Sequence, residues 1–123
     1  MQIILLYLGA ALTALWGISH LIPTGNVVAG FGEISDDNRH IITMEWIVEG
    51  VSLIFIGVLL AVVTFIDPQA AVSIAVYIVS TVGLLALALV SLFTGFKVKF
   101  LPFKLCPFIL SASAVLVITG ALV

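Results

Sequence analysis

The stretch "IITMEWIVEGVSLIFIGVLLAVVTFI", residues 41–66, holds only two charged side chains, Glu45 and Glu49. A helix needs roughly 20 apolar residues to cross about 30 Å of hydrocarbon, and this run exceeds that. It reads as a membrane span, with the two glutamates one helical turn apart near its head. The rest of the chain agrees. Of 123 residues, 63% are hydrophobic and 8% charged, which leaves too little polar surface to coat a water-soluble globule. A net charge of -2 supplies no cationic field for nucleic acid.

Three more apolar stretches reach spanning length, giving expected spans at about 3–22, 41–66, 70–93 and 107–123. The punctuation supports these bounds. Pro23 ends the first span, and Ser35 is the expected N-cap of the second helix, ahead of Asp36, Asp37 and Asn38. Asp67-Pro68 reads as a cap with proline at the first helical position, and Thr94-Gly95 closes the third span. The last span is either short after Cys106-Pro107 or begins nearer Phe103. The expectation is an all-α protein, a single transmembrane four-helix domain over residues 1–123, with its first span retained rather than cleaved. One cysteine, Cys106, forms no internal disulfide.

Arg39 lies between the first two spans, and Lys97, Lys99 and Lys104 lie between the last two. By the positive-inside tendency those loops face the cytoplasm and both termini lie outside. The lysines alternate with Phe96, Phe100 and Phe103, a pattern that fits interfacial snorkelling better than a binding patch.

At about 100° per residue, positions Asn38, Ile42, Glu45, Glu49 and Ser52 share one helix face. In the first helix the same spacing aligns Gly9, Thr13, Trp16 and His20, with Gly17 beside them, and small residues of this kind mark close helix approaches. His20 is therefore expected to face inward at the level of the glutamates. The third helix offers Ser73, Tyr77 and Ser80 on one stripe in its opposite half, and the fourth offers Cys106 and Ser113. The candidate site is a polar cluster of His20, Glu45 and Glu49, with Trp16 and Asn38 as ligand-binding candidates and Arg39, His40 and Cys106 at its margin.

Ionisable side chains inside a membrane mark function by default. Two carboxylates one turn apart repel when both are ionised and partly desolvated, which suits a group that takes up or gives up a proton. Glu49 is the deeper of the two; Glu45 falls near the interface, where pairing with Arg39 or a lysine explains it equally well. A divalent metal also fits carboxylates beside an imidazole. However, no Glu-x-x-His or His-x-x-x-His pair occurs on one helix, so the expectation is no metal. Cys106, before Pro107 at an expected helix start, sits where backbone dipoles activate a thiol, although packing explains a lone interfacial cysteine more simply. Residues 23–35, "PTGNVVAGFGEIS", form an expected loop with an apolar middle suited to covering the cluster.

The patterns "LWGISHLIP" and "EGVSLIFIGVLL" resemble DoxX-like small bacterial membrane proteins, through Gly17, His20, Glu49, Gly50 and Gly57. The resemblance implies a four-helix bundle in a bacterial inner membrane, in some cases a subunit of quinone-linked oxidoreductases. The acidic first loop and "FKVKFLPFKLCP" depart from it. The preferred functional reading is an accessory or ligand-binding membrane protein that holds a quinone or isoprenoid-like molecule in the bilayer through His20 and Glu49. Alternatives are a proton-coupled transporter or channel acting as a homodimer, and an intramembrane enzyme using Glu45, Glu49 and His20 as acid and base on a lipid. The small face with Ala10 and Ala14 is open to either a second copy or the chain's own bundle.

Overall fold

The computed structural model describes residues 1–123 as helices joined by short connections: α1 (Gln2–Leu21), α2 (Thr24–Ala29), α3 (Asp36–Ile66), α4 (Ala71–Thr94) and α5 (Leu101–Leu122). A single 3-10 turn, Gly95–Lys97, follows α4. Four of these helices are long and apolar enough to cross a membrane, so the chain is a multi-pass, all-α membrane bundle. The helix α3, with 31 residues, is about 46 Å long and outruns the hydrocarbon by roughly ten residues. Its C-terminal end is held level with α4 by the short turn at residues 67–70, so the excess lies at its N-terminal end. There Ser35 caps the helix, accepting a hydrogen bond from the Asn38 amide at 3.2 Å, with Asp36 and Asp37 in the first turn.

Around the bundle the helices follow the order α3, α1, α5, α4. Packing of α1 against α3 depends on missing side chains. A Cβ on Gly17 would lie 2.6 Å from the Gly50 carbonyl oxygen, and one on Gly57 would lie 2.6 Å from the Ala10 oxygen and 2.7 Å from the Ala14 Cβ. Backbones that close exclude any larger residue, which is how apolar helices gain dispersion contact without a hydrophobic drive between them. The Ala10 and Ala14 face is therefore taken up by the chain's own α3.

Two buried clusters stack along the bundle axis. Leu6, Ala10, Leu60, Tyr77 and Val117 fill the half nearest the α3–α4 turn. Leu53, Leu84, Ala88, Cys106, Leu110 and Ala114 fill the middle, with Trp16 packed against them. At the turn end the Thr64 hydroxyl donates to the Leu60 carbonyl, which leaves its oxygen to accept from the Tyr77 hydroxyl at 2.9 Å. Ser73 is buried beside it and donates to the Asp67 carbonyl at 2.6 Å.

Three sequence expectations change. Of the two starts expected for the last helix, the earlier one near Phe103 holds and the span from 107 does not: α5 begins at Leu101. Pro102 occupies its first turn, where an amide proton has no intrahelical partner, and Pro107 sits inside the helix, leaving only the Phe103 carbonyl without its usual donor. Asp67 caps a turn rather than α4: its carboxylate accepts from the Gln69 amide at 2.9 Å, and α4 starts after Ala70. The segment 23–35 contains α2, which tucks Val28 into the protein and leaves Phe31 exposed.

Candidate functional site

The Gly17–Gly50 crossing sets the site. With α1 and α3 in backbone contact there, the residues one turn further along α1 and one position back along α3 must meet, and these are His20 and Glu49. Their side chains approach to 3.3 Å between Nε2 and Oε1. His20 is buried, whereas the Glu49 side chain is 42% accessible and can be reached by a ligand. The other ring nitrogen, Nδ1, lies 3.2 Å from the Trp16 carbonyl oxygen. A carbonyl only accepts, so this contact assigns a proton to Nδ1 and directs Nε2 toward the carboxylate.

Aromatic side chains fix the imidazole in place. Trp46 stacks on it with ring centroids 5.0 Å apart, and its indole N–H donates to the His20 carbonyl, one of the carbonyls left without an intrahelical donor at the end of α1. Trp16 meets the ring edge-on at 5.6 Å, and Phe103 of α5 packs on Trp46 at 5.3 Å. The indole N–H of Trp16 donates to Cys106 Sγ at 3.4 Å, and the Ser91 hydroxyl of α4 donates to the same sulfur at 3.4 Å. Cys106 is buried and lies in the second turn of α5 rather than at its start. The helix-terminus argument for an activated thiol therefore lapses.

These groups line a cavity of about 290 Å³ bounded by α1, α3, α4, the 3-10 turn and α5. Neither lysine nor arginine lines it. Beside it runs a more open, mainly apolar groove of about 520 Å³ between α3 and Leu87 of α4, walled by Val27 and Phe31 at the α2 end. Trp46, Glu49 and Phe103 border both spaces.

Of the sequence-derived candidates, the structure brings together Trp16, His20 and Glu49, and adds Cys106 fully to them. Glu45 does not join them. It is exposed and lines the groove instead, and its position four residues before Glu49 turns it away from His20. Asn38 is exposed at the first turn of α3 and lines neither space; His40 is likewise exposed, and Arg39 borders neither. Sequence reading missed Trp46, Ser91 and Phe103. Trp46 carried a usable signal, since it stands three residues before Glu49 on the same turn. Ser91 and Phe103 carried none, because their roles depend on how α4 and α5 pack. Comparison with protein-family models, with curated proteins and with solved structures finds no match for this chain.

Proposed function

We propose that this protein binds the polar head of a lipophilic molecule of the quinone or isoprenoid class at His20 and Glu49, as a ligand-binding or accessory subunit of a membrane redox complex. The observation that carries this reading is the adjacency of the two spaces: a small cavity with a fixed imidazole–carboxylate pair shares Trp46, Glu49 and Phe103 with a mainly apolar groove between α3 and α4. Amphiphiles need this combination, with a few placed polar groups for the head and an apolar channel for the tail. The groove is open and mainly apolar, which suits the tail of a molecule supplied from the bilayer. The DoxX-like pattern around His20 and Glu49 points in the same direction. On the positive-inside argument the cavity end, with Arg39 and the three lysines, faces the cytoplasm of a bacterial-type inner membrane.

Native mass spectrometry from mild detergent, comparing wild type with Glu49→Gln, tests the proposal. A stoichiometric organic adduct in wild type that is lost in the variant is expected, and its mass names the class. Empty wild-type protein in dimeric form would contradict it and favour transport through paired copies, to be followed by proton flux in liposomes.

A further inference from the structure

His20 Nε2, Glu49 Oε1 and Cys106 Sγ come from three different helices, and all lie within 4.8 Å of one another. A tetrahedral ion with bonds of about 2.0–2.3 Å holds its ligand atoms about 3.3–3.8 Å apart. The 3.3 Å separation of His20 and Glu49 already has that value, and the sulfur lies within 4.8 Å of both.

Proton placement points the same way. Nδ1 of His20 donates to the Trp16 carbonyl, so Nε2 is the nitrogen that faces Glu49: it donates to the carboxylate when the ring is doubly protonated and presents its lone pair there when it is neutral, so a metal ion would take the place of that proton. Cys106 Sγ accepts from both the Trp16 indole and the Ser91 hydroxyl, two donors that remain in place for a metal-bound thiolate. Without the Nε2 proton and the thiol proton, three electron-pair donors face one another, and neither lysine nor arginine lines the cavity. We infer that His20, Glu49 and Cys106 form a binding site for a borderline divalent transition metal of the zinc type, with its fourth coordination position open to the cavity. Mixed nitrogen, oxygen and sulfur donors suit zinc; magnesium and calcium require all-oxygen sets. A carboxylate and a thiolate also neutralise a divalent charge, which a low-dielectric site requires. Binding forms the metal–sulfur bond and releases the thiol proton to solvent. The Trp16 carbonyl and indole and the Ser91 hydroxyl then act as the outer groups that orient ligands in such sites.

This inference goes beyond the lipophilic-ligand reading and does not depend on it. Its test is a cobalt(II) titration of chelator-treated protein in mild detergent. One cobalt per chain is expected, with a sulfur-to-cobalt charge-transfer band and the visible bands of a four-coordinate ion, both bleached by added zinc. Cys106→Ser abolishes the charge-transfer band. Trp16→Phe keeps the band and weakens binding by about tenfold. His40→Ala, at an exposed histidine outside the cavity, leaves the titration unchanged. Wild-type protein without a charge-transfer band, or a band that survives in Cys106→Ser or vanishes in His40→Ala, overturns the site. The wild-type measurement decides even if a variant fails to fold. An organic adduct is read separately by mass, so a missing metal leaves the lipophilic-ligand reading standing, and a missing adduct leaves the metal site standing.

Discussion

The two ends of the bundle are packed with different side chains and do opposite things. At the turn end, Leu6, Ala10, Leu60, Tyr77 and Val117 interdigitate so fully that none is more than 2% exposed, and the Tyr77–Thr64 hydrogen bond joins α3 to α4. At the other end, Trp16 meets His20 edge-on, Trp46 stacks on it and Phe103 packs at a tilt on Trp46, and these rings border a cavity. No bond like that of Tyr77 ties α3 to α4 there. The seam closed at one end and open at the other is what creates a cavity beside a groove. Stability and binding are therefore expected to separate along the bundle axis.

Four substitutions test that separation. The largest effect is expected at Gly57→Leu, whose side chain would meet the backbone of Ala10 and Ala14. Helix backbones cannot yield to it, so the cost is about 3 kcal/mol or more in a detergent-denaturation titration. Unchanged stability would mean that α1 and α3 do not cross there. Next, Glu49→Gln should weaken ligand binding by about 10- to 100-fold, the loss of a hydrogen bond to a charged group. Its stability should stay within about 0.5 kcal/mol of wild type, because the side chain is partly accessible. If it unfolds the protein instead, the pair is structural. Tyr77→Phe, at the closed end, should show the reverse, about 1 kcal/mol of stability lost with binding unaltered. The smallest effect is Gly83→Ala. A Cβ there meets nothing within 4 Å, so the gain in helix propensity, at most about 1 kcal/mol, should appear unopposed as a slightly higher Tm.

Much of this was legible in the sequence because membrane helices announce themselves by length and hydropathy, and because Gly17 and Gly50 mark a crossing. That crossing fixes His20 against Glu49, so the centre of the site follows from α1 and α3 alone. The assignment of Glu45 to the cluster failed for a geometric reason. Four residues advance a helix by about 400°, so successive members of such a stripe drift by some 40°, enough to carry Glu45 from the cavity to the groove. The start of α5 was obscured by two prolines five residues apart, Pro102 and Pro107, either of which can sit near a helix N-terminus. Tertiary packing chose the first. Ser91 as a donor to Cys106 depends on the rotation of α4 against α5, about which a uniformly apolar helix says nothing.

Both tryptophans of the chain, Trp16 and Trp46, line the cavity, so its occupancy can be read directly from intrinsic fluorescence. The decisive measurement is a titration of the protein in nanodiscs with a short-chain benzoquinone, wild type against Glu49→Gln. Binding at the proposed site predicts saturable quenching of most of the emission in wild type, shifted to at least about tenfold higher concentration in the variant. Quenching that rises linearly without saturation, and equally in both proteins, would contradict it.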